Sequence, residues 1–434
     1  MSFQTFDFHP HIAAGVEAAG YVNPTAIQSQ AIPPVLAGRD VMGLAQTGTG
    51  KTAAFALPIL HRLMKGDRGK VRALVVAPTR ELAEQIHQSI ENLGRKTRLR
   101  SVTVYGGVKI NPQTEKLKRG AEIVVACPGR LLDHISQGTI NLSSLEVLVL
   151  DEADQMFDMG FLPDIRRLLR HVPAKRQTLL FSATMPSDIR GLAGEILTDP
   201  VTVQAGTPGT AVTVSHALYP VEQHLKTPLL LELLRYTDTE SVLVFTRTKH
   251  RAKRVGEQLE KAGYRAASLQ GNLSQNRRQA ALDGFRNGTF QILVATDIAA
   301  RGIDVSQVSH VINYDMPDTA EAYTHRIGRT GRAARNGDAY TLTSSEDAAM
   351  VRTIERLLKT PLERRTLPEF DYAVPAPRRD TEFARPPREP RPSRKQEPSS
   401  KPAARGTQQP KATQRHTGRA STAAAAGRHT HRST

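Results

Sequence analysis

The chain has 434 residues and a formal net charge of +17, from 59 Lys and Arg against 42 Asp and Glu. That length can hold two domains, each with its own core, and so basic a balance points to nucleic acid as a partner. The single cysteine, Cys127, excludes an intramolecular disulfide and a cysteine-based zinc site and fits a reducing, cytoplasmic compartment; no apolar run approaches the roughly 18 residues of a membrane span, and the start MSFQTFDFHP has no apolar leader segment.

In chain order, short β-branched runs alternate with helical patterns. Val41–Leu44, Ala73–Ala77, Ser101–Val104, Ile123–Ala126, Val147–Leu150 and Thr178–Phe181 read as buried strands. Near-continuous apolar strands separated by helices predict a parallel sheet covered on both faces. The pattern then restarts with Val242–Phe245, Arg265–Leu269, Ile292–Ala295, His310–Tyr314 and Ala339–Leu342. Between the two series, Gln204–Thr210 reads as a linker because it is rich in Gly, Thr and Pro. The expected fold class is α/β, with two tandem domains built on parallel sheets. From about Pro375 the chain is dominated by Arg, Pro, Ser, Thr and Ala. Such a composition cannot bury enough apolar surface to fold, so a disordered tail is expected. Residues Asp371–Thr434 carry 14 Lys and Arg against five Asp and Glu, which places +9 of the net +17 there.

Two elements carry chemistry. The run Ala45-Gln46-Thr47-Gly48-Thr49-Gly50-Lys51-Thr52 follows the first strand. A loop of small residues between strand and helix can turn its N–H groups toward phosphate oxygens, and the helix N-terminus adds positive potential. Lys51 is placed to reach the β and γ phosphates of ATP, and Thr52 to ligate magnesium. About a hundred residues on, Asp151-Glu152-Ala153-Asp154 closes another strand-like run. Asp151 suits a magnesium site, and Glu152 suits a base that orients or deprotonates the attacking water. The second half has no such loop.

With those elements in place, the chain resembles a DEAD-box RNA helicase of superfamily 2 over roughly residues 3 to 365. Phe6, Gly20-Tyr21 and Pro24-Thr25-Ala26-Ile27-Gln28 are similar to the family's Q motif, and residues 45–52 to its motif I, where alanine at the first position is usual. Pro78-Thr79-Arg80-Glu81-Leu82, Gly106-Gly107 and Ser182-Ala183-Thr184 match further motifs of the first half. In the second half Val244-Phe245-Thr246-Arg247, Gln275 with Arg278, Ala295-Thr296-Asp297, Arg301-Gly302-Ile303-Asp304 and His325-Arg326-Ile327-Gly328-Arg329-Thr330-Gly331-Arg332 do the same. The short N-terminus and bare two-domain body are similar to the bacterial RhlE-type subgroup.

The resemblance implies a Q-motif region at 4–32, RecA-like domains at 33–205 and 215–370, a linker at 206–214 and a disordered basic tail at 371–434. It assigns Gln28 to the adenine edge, Phe6 to stacking on the base and Asp304 to the ribose. Arg329 and Arg332 would reach the γ-phosphate from the second domain; a planar, always charged, bidentate guanidinium suits that role. RNA would be held by Arg80, Gly106, Gly107, Gly129, Arg130, Arg247, Gln275, Arg278 and Thr296, with contacts to backbone and 2′-OH rather than to bases. Asp154, Ser182, Thr184 and His325 would couple the two sites. Two positions depart from the family pattern: Cys127 stands where a threonine would offer a hydroxyl to RNA, and Gln270 stands where a histidine is usual.

The implied activity is RNA-stimulated ATP hydrolysis with magnesium, coupled to cleft closure and local, non-processive unwinding or remodelling of RNA duplexes and RNA–protein complexes. The implied partner is RNA with little sequence preference, around a monomeric core. Ribosomal particles and RNA-degradation proteins are further candidate partners, and no membrane is expected. Two rival readings are a superfamily 2 DNA helicase and an ATP-gated RNA clamp that recruits other proteins through its tail.

Overall fold

The computed structural model describes residues 2–45, 48–205, 214–300, 308–331 and 337–376. The first half carries strands β1 Val41–Ala45, β2 Ala73–Val76, β3 Ser101–Val104, β4 Ile123–Ala126, β5 Val147–Leu150, β6 Gln177–Ser182 and β7 Val201–Ala205. The second carries β8 Val214–Pro220, β9 Val242–Phe245, β10 Ala266–Leu269, β11 Ile292–Ala295, β12 His310–Asn313, β13 Gly337–Thr343 and β14 Glu363–Arg364. The sheets run β3-β4-β2-β5-β6-β1-β7 and β10-β11-β9-β12-β13-β8-β14, with parallel pairing throughout. Counted within each half, the strand order is the same. Two copies of one RecA-like architecture therefore stand in tandem, although the phosphate-loop motif occurs in one only.

Helices on both faces explain why the central strands show no polar alternation. Val75, Val149 and Leu179 pack with Phe55, Leu60 and Ile86 on one face, while Val124, Leu148 and Leu180 pack with Leu131, Ile165 and Leu192 on the other. The second sheet is built alike, with Val244 and Val294 against Leu229 and Val255, and Leu243 and Leu293 against Leu282 and Phe285. Burying a Val, Leu or Ile side chain contributes about 1.5–3 kcal/mol, so these interleaved layers hold the strand ends, and the loops on them, in fixed register.

Several expectations are corrected. Gln204 and Ala205, read as linker, end β7 and pair with Leu44 and Ala45, and Val214 begins β8. The intervening residues lie outside the described set. Strands β7, β8 and β14 escaped the sequence reading. β7 is a sheet edge whose alternating VTVQA pattern leaves Thr202 and Gln204 exposed, and an edge strand needs no continuous apolar run. The predicted strands also overran: Ala77, Arg265 and Tyr314 fall just outside β2, β10 and β12. Residues 371–376, assigned to a disordered tail, are held on the second half. Phe370 and Tyr372 make an edge-to-face pair and pack on its core; the Tyr372 hydroxyl accepts from Leu367 N at 3.0 Å; His224 Nε2 lies 2.7 Å from Val374 O. The Tyr372 ring, packed on Phe370 and the core, supplies the apolar contact that holds these residues. Among the described residues no helix is long and apolar enough to cross a membrane.

Candidate functional site

The chain leaves β1 at Ala45 and re-enters regular structure at Lys51, the first residue of the helix Lys51–Leu63. Gly48 and Gly50 are left-handed, at φ 81° and 95°, where a side chain would be strained. A Cβ on Gly50 would also come within 2.5 Å of the Gln28 amide nitrogen. No side chain caps this helix, so its first N–H groups are left for an anion. Lys51 is buried: its Nζ donates to Ala45 O at 3.0 Å and lies 4.0 Å from Asp151 Oδ1. Thr49 and Thr52 are half-buried beside it. Gln46 and Thr47 fall outside the described residues.

Gln28 reaches this loop from the helix Ala26–Leu36. Its Oε1 accepts from Thr25 N at 2.9 Å in a capping box, and its Nε2 donates to Gly50 O at 3.2 Å. An amide carries two donors and a two-lone-pair acceptor, so one hydrogen and one lone pair are left for a ligand. Phe6 is buried between Phe3 and Phe8, at centroid distances of 5.8 and 5.7 Å.

Asp151 follows β5 directly and is fixed by its N–H to Val76 O at 3.0 Å. Glu152 turns the chain with φ 53°, ψ 54°, a left-handed conformation that costs a glutamate roughly 1–2 kcal/mol. Its N–H donates to Asp151 Oδ1 at 3.0 Å. Both carboxylates are 2 % exposed. Burial lifts both above the usual carboxylate range, and the Lys51 ammonium opposes the lift; for Glu152 the guanidinium of Arg329, from the second half, opposes it too.

Asp154 binds the end of β6. Its Oδ2 accepts from Ala183 N, Thr184 N and Thr184 Oγ1 at 3.1, 2.9 and 3.1 Å. Ser182 Oγ accepts from Asp154 N at 3.2 Å and donates to Thr184 O at 2.7 Å. His325 is half-buried on the helix Ala320–Ile327 and makes no hydrogen bond to this cluster.

Arg329 follows that helix and is buried. Arg326, three residues earlier, joins several elements. It binds both oxygens of Asp297 at 2.6 Å, donates to Asn313 Oδ1 and Asp315 O at 3.1 and 2.7 Å, and covers the Phe245 ring at 5.0 Å. Asp304 and Arg332 lie outside the described residues.

The candidate RNA residues gather at the carboxyl ends of the strands of both sheets. Arg80 lies against Gly107, where φ is 79° and a Cβ would come within 2.0 Å of Arg80 Nη1. Gly106 and Gly129 face open space. Arg130 donates to Val108 O at 3.1 Å. Across the halves, Arg80 Nη1 donates to Gln275 Oε1 at 3.4 Å, Gln275 Nε2 to Glu81 Oε1 at 3.4 Å, and Arg278 Nε to Glu81 Oε1 at 2.8 Å. Arg247 is half exposed, with its backbone N–H on the buried Asp315 at 2.8 Å; Thr296 follows β11 and is buried. Cys127 caps the helix Pro128–Ser136 without a side-chain bond, and burial pushes its thiol up to about 12. Gln270 is turned inward, with Oε1 accepting from Asn272 N at 2.6 Å. Glu81, Asp315 and Arg326 were not singled out from sequence. Glu81 and Arg326 stand inside motifs that were quoted, but a search for cations to hold phosphate passes over an acid, and the sequence does not mark which arginine of its motif is paired within its own half.

Residues 25–192 match the DEAD/DEAH box helicase family model, and residues 225–334 the helicase conserved C-terminal domain. The chain is 42 % identical over 375 residues to the DEAD-box ATP-dependent RNA helicase CshA of Bacillus licheniformis, covering 86 % of this chain and 77 % of the relative. It is 43 % identical over 374 residues to CshA of Geobacillus kaustophilus, covering 86 % and 80 %. Among solved structures, S. cerevisiae Dbp5 bound to RNA and ADP BeF3 superposes with a TM-score of 0.74 at 31 % identity, over 84 % of this chain and 95 % of that one. A DEAD box protein from Methanococcus jannaschii gives 0.51 at 36 % identity, over 84 % and 99 %. With its two RecA-like halves and its phosphate loop facing buried carboxylates, this chain belongs to the DEAD-box family of ATP-dependent RNA helicases. It is an ATP hydrolase that acts on RNA.

Proposed function

We propose that ATP and RNA both act by closing the cleft between the two halves, and that hydrolysis with local strand separation depends on that closure. The observation that carries the reading is direct contact between the halves, Arg278 Nε on Glu81 Oε1 at 2.8 Å and Arg80 Nη1 on Gln275 Oε1 at 3.4 Å, with the Arg329 guanidinium of the second half favouring the charged form of Glu152 in the first. The loop Ala45–Thr52 would cradle the phosphates, with Lys51 on the β and γ groups and Gln28 and Phe6 at the base. Asp304 would take the ribose. Magnesium fits a site made of Thr52 and Asp151, where it would neutralise charge between the phosphates. Glu152, raised in pKa by burial, suits a base that must hold a water and accept its proton. Arg329 and Arg332 would stabilise charge on the transferred phosphoryl, a contribution of about 10³–10⁵ in rate when such a residue is supplied across a cleft.

Arg80, Gly106, Gly107, Gly129, Arg130, Arg247, Gln275, Arg278 and Thr296 would hold one RNA strand along both halves. The family resemblance implies that the strand held in the closed cleft is bent out of duplex geometry, so separation would be local and would need no translocation. Asp154, Ser182, Thr184 and His325 would link the ATP and RNA sides. The superposition on the RNA-bound yeast helicase, at a TM-score of 0.74, supports this reading. Magnesium as the ion and a monomeric core belong to the same proposal; the RhlE-type subgroup expected from the sequence has no support from the relatives above, which are CshA-type. ATPase turnover with single-stranded RNA, with DNA of equal length and with neither tests it. Stimulation by RNA alone is expected; equal turnover in all three would end the closure model, and preference for DNA would favour the DNA helicase.

A further inference from the structure

The three adjacent strands β3, β4 and β2 carry candidate RNA-contacting loops at their carboxyl ends. At their amino ends, the same strands are entered by three loops of another composition. Residues 65–72 read KGDRGKVR, residues 94–100 read GRKTRLR, and residues 118–122 read KRGAE. Parallel neighbours place these loops side by side. A Cβ on Gly120 would lie 2.9 Å from Gly69 Cα and 3.3 Å from Arg100 Nη2, and Arg68 Nη2 donates to Thr97 O at 3.5 Å.

One buried acid knits them. Glu122, 1 % exposed, accepts from Gly69 N at 2.6 Å through Oε1 and from Arg100 N at 2.8 Å through Oε2. Its charge is spent on backbone N–H groups inside the protein. Of the exposed acids nearby, Asp67 pairs with Lys70 and Glu115 with Lys118. Lys96, Arg98 and Arg119 are exposed, and their side chains make no hydrogen bond or ion pair among the described residues. Arg98 is held at φ 58°, which fixes where the tip of its loop stands.

We propose that this face is a second phosphate-backbone site, which takes the duplex arm of a structured RNA while the cleft holds a separate single-stranded stretch. The proposal deepens the RNA-helicase reading and rests on it. Phosphate is favoured over a protein partner because the loops expose cations and no aromatic anchor; Leu99 and Leu117 turn into the core. A duplex is favoured over a single strand because the three loops carry no aromatic ring on which unpaired bases could stack; the site is also separate from the cleft, since β2, β3 and β4 are four residues long, about 13 Å of strand between the two faces. Nucleotides gripped at one face therefore cannot touch the other. Closely set cations that follow loop backbone suit phosphates rather than base edges.

The test compares full-length wild type with the variant Lys96→Ser, Arg98→Asn, Arg119→Ser; asparagine tolerates the left-handed backbone of position 98. Two RNAs are used, a single strand of about ten nucleotides and the same strand carrying a hairpin of about fifteen base pairs. ATPase stimulated by the short strand should be unchanged, and loss of it would instead question the helicase reading or the fold of the variant. Affinity for the hairpin RNA should fall about tenfold or more at low salt, and the salt slope should drop by about two to three, one neutralised phosphate per cation removed. Unchanged hairpin affinity and slope would overturn the proposal, and would leave an acidic protein as the occupant. Wild-type protein supplies a second readout free of any folding effect. Hairpin RNA should protect Lys70, Lys96 and Lys118 from acetylation where the short strand does not; equal labelling with both RNAs would also overturn it.

Discussion

At Glu152 one residue carries two opposed demands. Its carboxylate is buried, its backbone is left-handed, and its charge faces Lys51, Asp151 and Arg329. Burial raises the folded-state pKa above the ordinary 4.5. Above the folded pKa the native state must hold a charge that the unfolded chain solvates freely; at pH below the unfolded pKa both states are neutral and the cost vanishes. Glu152→Gln in nucleotide-free protein should therefore raise Tm at pH 7.5, with a gain that shrinks as pH falls toward 4.5. The same variant should lose about 10²–10⁴ in turnover, as removal of a general base does, and should accumulate as a ternary complex with ATP and RNA. Scanning calorimetry across pH and single-turnover kinetics check both. Lys51, Asp151 and Glu152 were legible in the sequence because each belongs to a short contiguous motif whose chemistry fixes its residue types. The strained turn was not, since a glutamate gives no sign of positive φ. Nor was the clasp of Asp154 on Ala183 and Thr184 legible as geometry, because it is made by two strands that become neighbours only in the sheet.

Loops and strand ends set what each element can do. Gly107 is left-handed and lies under the Arg80 guanidinium. Gly107→Ala adds strain of about 1 kcal/mol and drives the guanidinium from its present place. The expected result is an RNA half-saturation raised about tenfold, with ATP half-saturation at saturating RNA nearly unchanged; an ATPase titration reads both. At the other end of the chain, residues 371–376 behave as part of the second half. Truncation after Ala376 should leave Tm unchanged and weaken RNA binding with a shallower salt slope, since it removes all 14 Lys and Arg of the tail. Truncation after Phe370 should lower Tm by several degrees, because it also removes the Tyr372 packing and the Val374 bond to His224. Elements were legible where periodicity is strong: β3, β4, β5, β9 and β11 match their apolar runs residue for residue. They were hidden where an edge strand alternates, as in β7, where one pairs over two residues only, as in β14, or where polar residues interrupt β8 at Ser215 and His216. Those strands exist because a neighbour supplies their hydrogen bonds, which no local window of sequence contains.

Across the whole molecule, the two halves are joined beside the candidate RNA residues by Glu81, which binds Arg278 while Gln275 bridges to Arg80. The Glu81 and Arg278 side chains are 6 % and 12 % exposed. Within one rigid core, removal of one partner from such a pair costs about 3–5 kcal/mol, because a buried charge is stranded. Between two halves of a cleft there is an escape: the cleft opens and both groups return to water. The cost then appears in the open–closed equilibrium and not in the stability of either half. Arg278→Glu, with two acids facing each other, should leave Tm within about a degree while lowering the closed population. If closure loses about 2 kcal/mol, the closed fraction falls about thirtyfold where it is the minor state. RNA and ATP each bind both halves in this scheme, so each should lose its effect on the other's affinity, as reciprocity of coupling requires. The swap Glu81→Arg with Arg278→Glu re-forms the pair with its direction reversed and should recover part of that coupling. Isothermal titration of RNA with and without a non-hydrolysable ATP analogue measures it directly. Recovery in the double variant means that the pair acts on closure itself; equal losses in the single and double variants would assign the effect to lost RNA contact at Arg278, and the closed cleft would need another latch.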